Sequence, residues 1–381
     1  MHLSKSYRLL RFLNRKHTIF SRGLFAAGAW TLSMLATFRP RLAGRVASVI
    51  WADDFKSGLR LTHWFARRGW MGLDVAKDPY FDFASWFDAA ELDDLEAFVE
   101  RRKSSTTSFE DAADRLYVLA ARAHLAIEAG EVEQYRKYRA QFDNLSAIAR
   151  KLGAESDDPD KRKDKPSKFS PSEATEALRD FAAISKVAGT QWYVISGTFL
   201  GVVRENGWLP HDYDIDVGVN AEGTDFDALR DAILGDPSMV LRKEDWQLRI
   251  VDGDMPTLER RLVLLKLVHR TGINIDVFVH YLEGGVRWHG SNIHRWDNAE
   301  FELVPYSLAG LDVLGPRDAD KYLTENYGDW RTPVTEFSAS TGTPNLRMVD
   351  NLMSRALFAR RYGRDAPDES RSDHSQSHSG G

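Results

Sequence analysis

The stretch that decides the fold is Val194-Ile-Ser-Gly-Thr-Phe-Leu-Gly-Val-Val-Arg204, followed by His211-Asp-Tyr-Asp-Ile-Asp-Val217. The first part reads as a short buried strand at 191–195, a Ser196-Gly197-Thr198 turn, and a helix starting at Phe199. Asn206-Gly207 supplies the next turn, and Pro210 marks entry into the acidic segment. In a strand, residues i and i+2 share a face. Asp214 and Asp216 therefore project together, while Ile215 and Val217 enter the core. Two carboxylates on one face with no cation between them repel, and the pair is costly unless solvated or bound to a cation. Oxygen donors select hard ions, Mg2+ first and Mn2+ second. Taken alone, Asp-x-Asp is more often a solvated strand end. The preceding segment shifts that balance. Gly197 lets backbone approach a phosphate, Thr198 adds a hydroxyl, and Arg204 offers a planar fork for phosphate oxygens. A third acid, Asp276, lies in a later β-like segment, Asn274-Ile-Asp-Val-Phe-Val-His280. Three carboxylates near a small glycine turn suit metal-assisted phosphoryl transfer.

The ordered combination resembles the LicD/fukutin family within the nucleotidyltransferase-fold superfamily. The matching residues are Gly197-Thr-Phe-Leu-Gly-Val-Val-Arg204, Gly207-Trp-Leu-Pro-His-Asp-Tyr-Asp-Ile-Asp-Val-Gly218, Ile275-Asp-Val-Phe278, and later Tyr322-Leu with Tyr327-Gly-Asp-Trp330. The likeness runs from about Pro171 to Pro333. It implies an α/β (α+β) nucleotidyltransferase-like mixed sheet with flanking helices. It also implies transfer of a phosphorylated small alcohol from a CDP-linked donor to a glycan hydroxyl. Asp214 and Asp216 would then hold metal on the donor diphosphate. Asp276 would complete the metal site and position or deprotonate the acceptor hydroxyl. Substrate contacts fall to Gly197, Thr198, Arg204, His211, Asp212 and Lys266. Two departures stand out. His211 and Tyr213 occupy places where many members have a tryptophan and another aspartate, and a Gly-Thr turn replaces Gly-Ser.

Several positions have two readings. Lys266, in the expected strand Leu262-Val-Leu-Leu-Lys-Leu-Val268, either reaches the diphosphate or snorkels at a sheet rim. His211 is more readily a hydrogen-bonded structural histidine than a phosphate contact. His289 and His294 beside Trp288 and Trp296 suit a sugar-stacking wall, but aromatic packing is favoured. No paired cysteine or histidine spacing suits zinc, and no triad surrounds Thr198.

The chain has 381 residues, is 43% hydrophobic and carries a net charge of −5, which permits a substantial core without a basic excess for nucleic acid. With no cysteine, disulfides and thiolate metal sites are excluded. Before Asp53 there is no acid, and basic residues flank the uncharged run from Gly23 to Phe38. That run falls short of the roughly 20 residues of a usual span. It suits peripheral contact with anionic lipid ahead of a docked helix or a true span. The expected location is cytoplasmic, at the inner face of the membrane.

The domain plan places a basic segment at 1–80 and a helical hairpin region at 81–153. A polar linker at 154–169, a catalytic domain at 170–362 and a disordered tail at 363–381 follow. The hairpin helices pair around Gly130, one carrying Leu116, Leu119, Ala120, Ala123 and Ile127, the other Tyr135, Tyr138, Phe142, Leu145, Ala149 and Leu152. The pair resembles one tetratricopeptide unit, but ordinary packing is favoured over partner binding. Ser170-Pro171 with Glu173 predicts a capped helix start. The function expected first is a Mg2+-dependent (or Mn2+-dependent) phosphotransferase building a surface or lipid-linked glycan. A nucleotidyltransferase moving NMP to a small molecule and a membrane-associated scaffold are the alternatives.

Overall fold

The computed structural model describes residues 109–152, 169–333, 343–348 and 351–362, without His211, Asp252 and Asn292, plus a few positions between 89 and 96. The basic segment, the linker up to residue 168, the tail and His211 lie outside the described residues. Among the described residues no helix is long and apolar enough to cross a membrane. The described residues divide into two compact units: those within 169–247 and 261–347 form one; those within 89–152, 248–260 and 348–362 form the other.

The second unit is helical over 109–152 and 352–362 and also takes in the strand ends within 248–260. Helices α1 (Phe109–Glu128) and α2 (Val132–Leu152) form the expected hairpin, turned by Gly130 at φ +73°. That left-handed conformation suits glycine. The α2 stripe buries Tyr135, Phe142, Ser146 and Ala149, whereas Leu152 is 36% exposed.

 Helix α7 (Leu352–Tyr362) packs on α1. Its Arg355 lies over the Phe142 ring at 5.2 Å and donates to Ser146 Oγ at 2.6 Å.

The first unit is built on a mixed sheet. Its elements are α3 (Pro171–Val187), β1 (Trp192–Val194), α4 (Ser196–Glu205), β2 (Asp214–Asn220), α5 (Phe226–Gly235), β3 (Met239–Val251), β4 (Thr257–His269) and β5 (Asn274–Glu283). Then come β6 (Val286–Gly290), β7 (His294–Ala299), β8 (Leu303–Leu308), β9 (Leu311–Pro316), α6 (Ala319–Tyr327) and β10 (Leu346–Met348). The sheet runs β1-β2-β5-β6-β7-β10, with β4 also on β5 and β3 on β4, while β8 and β9 pair separately. β2 and β5 are parallel; β1–β2 and β4–β5 are antiparallel. A parallel pair needs a long crossover, and α5, β3 and β4 supply it. This is the α/β mixed sheet with flanking helices expected from the sequence.

Helix α3 starts as its residues dictate. Ser170 Oγ accepts from the Glu173 N–H, and Pro171 sits in the first turn. Its apolar face buries Ala174, Ala177, Leu178, Phe181 and Ile184 in one core with Ile215, Val217, Val219, Ile275, Val277 and Val279. The alternation along β2 and β5 follows from the period of two.

One local expectation is corrected. Ser196-Gly197-Thr198 is not a turn before the helix but the first turn of α4. The change of direction is absorbed at one residue, Ser196, whose φ of +46° is left-handed. At the other end Asn206, also left-handed at φ +51°, closes α4 as its C-cap. Helix α4 can lie against the following turn only because Gly201 lacks a side chain. A Cβ there would stand 2.6 Å from the Gly207 carbonyl oxygen and 3.2 Å from the Leu209 nitrogen. Both are backbone atoms, so Gly201→Ala should cost about 1–3 kcal/mol by overpacking. A denaturant midpoint equal to wild type would show that the turn yields freely.

Candidate functional site

The three acids meet because of the strand register. In the parallel β2–β5 pair Asp216 lies opposite Asp276, and in the antiparallel β4–β5 pair Lys266 lies opposite Asp276. Asp216, Asp276 and Lys266 thus form one row across three neighbouring strands. Asp214 joins them from two residues earlier on the same face of β2. One carboxylate oxygen from each of Asp214, Asp216 and Asp276 lies within 4.8 Å of the other two.

Helix α4 locks this row in place. The Gly197 N–H donates to Asp216 Oδ2 at 3.3 Å, and the Asp216 N–H donates to Thr198 Oγ1 at 2.9 Å. Gly197 is therefore where the helix N-terminus meets the carboxylates, and its partial positive charge opposes theirs. A Cβ at Gly197 would stand 3.6 Å from Asp216 Oδ2 and 3.7 Å from Asp212 Oδ2, an ordinary contact, so two carboxylates converge here. Asp212 is buried, and its Oδ1 accepts the Tyr213 N–H at 3.0 Å.

Four acids so close together perturb one another. Burial, then the charges of Asp216, Asp276 and Asp212, push Asp214 well above the carboxylate range. Burial, then Asp212 and Asp276, push Asp216 up to about 8, against the Gly197 N–H and Lys266. Lys266 bonds Asp276 Oδ2 directly. Burial alone would lower its pKa, but Asp276, Asp245 and Asp214 hold it above the ordinary lysine value. An all-oxygen donor set, mutually repelling and short of positive charge, fits a hard divalent cation held by Asp214, Asp216 and Asp276.

The remaining expected residues fall in different places. Thr198 is 1% exposed, and its oxygen serves the Asp216 backbone. Arg204 lies at the far end of α4, about 10 Å of helical rise from Gly197. Its guanidinium bonds Glu205 at 3.0 Å and the Trp330 carbonyl at 3.4 Å. Trp288, His289 and His294 are buried. Trp288 stacks on Tyr281 at 4.9 Å, and His289 on Trp296 at 5.4 Å, as aromatic packing requires.

Three residues near the centre had no role in the sequence reading, which quoted Tyr322 and Tyr327 only as part of the resemblance and did not single out Asp245. Asp245 on β3 is 4% exposed. Tyr322 and Tyr327, on α6, have phenols held above their ordinary pKa, first by burial; the Asp216 charge adds to this for both, and Asp212 for Tyr327. A second trio, Glu176, Asp180 and His269, also clusters within 4.8 Å. Its carboxylates already hold the Arg270 guanidinium at 2.6 and 2.8 Å, and His269 Nε2 lies 3.1 Å from Asp180. That trio is an ion-pair clamp between α3 and the β4–β5 turn.

Residues 189–318 match the family model described as LicD/FKTN/FKRP, nucleotidyltransferase domain. All four acids of the centre lie inside the match. The chain is 25% identical over 181 residues to the mouse ribitol-5-phosphate transferase FKTN, covering 46% of this chain and 36% of that protein. It is 24% identical over 160 residues to the human ribitol 5-phosphate transferase FKRP, covering 40% of this chain and 30% of that one. An uncharacterised protein of Rickettsia typhi is 23% identical over 155 residues, covering 41% and 45%. The chain spans about a third of the length of the first two relatives.

Proposed function

We propose, from the match of residues 189–318 to the LicD/FKTN/FKRP nucleotidyltransferase domain, that the chain is a metal-dependent phosphotransferase. It moves a phosphorylated small alcohol from a CDP-linked donor to a hydroxyl of a surface or lipid-linked glycan. The observation that carries the reading is the convergence of Asp214, Asp216 and Asp276 beside the N-terminus of α4. Ribitol 5-phosphate, named in two relatives, is the first group to test.

Asp214 and Asp216 would hold Mg2+ or Mn2+, with Asp276 completing the set. The bound ion supplies charge neutralisation at the diphosphate. The α4 N-terminus at Gly197 faces the same phosphates and favours negative charge there. Asp276 orients the acceptor hydroxyl and takes its proton as the oxygen attacks the phosphorus that bears the alcohol. The bond from that phosphorus to the bridging oxygen breaks, and CMP leaves.

The test is product analysis with CDP-ribitol, CDP-glycerol and CDP-choline, each with a glycan acceptor and Mg2+ or Mn2+. The expected result is metal-dependent release of CMP with transfer of the alcohol phosphate. Release of pyrophosphate from a nucleoside triphosphate would replace this reading with nucleotidyl transfer. EDTA should abolish turnover, and full activity in EDTA would remove the metal from the mechanism.

A further inference from the structure

The row Asp216–Asp276–Lys266 already contains a cation. Lys266 projects from β4, and its ammonium bonds Asp276 Oδ2. β4 is bordered by β5, which carries Asp276, and by β3, which carries Asp245. Asp245 is 4% exposed, and its charge acts on Lys266 together with those of Asp276 and Asp214. The lysine thus bonds the carboxylate on one neighbouring strand and feels the charge of a buried carboxylate on the other.

A divalent ion at Asp214, Asp216 and Asp276 competes for the carboxylate that the ammonium now holds. It also repels the ammonium across a short distance. The ammonium must yield, and Asp245 offers it a negative partner away from the triad. We propose that Lys266 is a displaceable counter-ion, holding Asp276 while the centre is empty and moving toward Asp245 when a divalent cation enters. Asp245 is then a positioning residue that acts through Lys266. The arrangement steadies three close carboxylates without metal, and it makes entry selective for a charge greater than one. The inference rests on the metal-centre reading of Asp214, Asp216 and Asp276.

The experiment is Mn2+ binding to the full chain without nucleotide, read by electron paramagnetic resonance of free Mn2+. Lys266→Met should bind Mn2+ about tenfold tighter than wild type, because a competing charge is gone. Lys266→Gln, which keeps a hydrogen bond to Asp276 without the charge, should do the same and guards against misfolding of the first variant. Asp245→Asn should weaken binding severalfold in the wild-type background and leave it unchanged in the Lys266→Met background. Such non-additivity marks action through the lysine. Equal weakening in both backgrounds would make Asp245 a bystander charge and overturn the proposal. So would Mn2+ binding by the two lysine variants that equals or falls below wild type. If wild type binds Mn2+ and Asp214→Asn loses it, the metal centre stands whatever the lysine variants show. No binding by wild type at millimolar Mn2+ sinks both.

Discussion

Asp216→Asn should lower transfer about a thousandfold or more, because the proposed metal centre loses one of its ligands, and should make the metal-free fold more stable. The two effects have one cause. Asp216 stands among Asp212, Asp214 and Asp276, and burial with those charges lifts it from the ordinary 3.8 to about 8. The folded state therefore keeps a proton that the unfolded chain has lost between those two values. A group whose folded pKa is raised in this way makes stability fall as pH rises across that window. Asparagine removes the repulsion and still accepts the Gly197 N–H through its amide oxygen. In EDTA the variant should gain about 1–2 kcal/mol at neutral pH, the range of other relieved functional sites. Its decline in stability from pH 4 to 8 should be flatter than wild type. Denaturant titrations at three pH values with a transfer assay at neutral pH test both halves. Wild-type transfer by the variant would remove Asp216 from the site, and an unchanged pH slope would mean that solvent screens the cluster.

How much of this was legible follows from the range of each signal. The common face of Asp214 and Asp216 is local, since a strand alternates every residue. The capped start of α3 was local too, because Ser170, Pro171 and Glu173 carry the signal themselves. The meeting of Asp216 with Asp276 is not local. It depends on a parallel register across a crossover of more than fifty residues, and the family resemblance supplied it. Lys266 shows the same limit. Its residues allowed a diphosphate contact or a snorkelling chain, and neither names Asp276, because strand partners are not written in a strand's own period. Asp245 had no signal at all: it is one acid in Met239–Val251, next to Glu244, and only the order β3-β4-β5 gives it meaning. Arg204 was grouped with Gly197 by closeness in sequence, but helical rise carries it to the far end of α4. Ser196-Gly197-Thr198 reads as a turn by composition, yet one left-handed serine is enough to turn the chain into the helix.

Thr198→Val should show that this hydroxyl acts through Asp216. Thr198 is 1% exposed, and its Oγ1 is the acceptor for the Asp216 N–H at 2.9 Å. Valine keeps the shape and removes the oxygen, leaving a buried N–H without a partner at a cost of about 1–3 kcal/mol. The released backbone carries the carboxylate with it, so metal affinity and turnover should fall about 10- to 100-fold, as for other groups that orient a ligand. Thr198→Ser keeps the oxygen and should stay close to wild type in both. A hydroxyl that only contacted the donor phosphate would behave differently. Its loss would raise the KM for the donor and leave metal-free stability and Mn2+ affinity unchanged. Unfolding in EDTA and Mn2+ titration of the valine and serine variants therefore separate the two roles before any substrate is known. If valine and serine prove indistinguishable, the side chain fills space, and the order of Asp216 must come from the Gly197 N–H and the β2–β5 pairing alone.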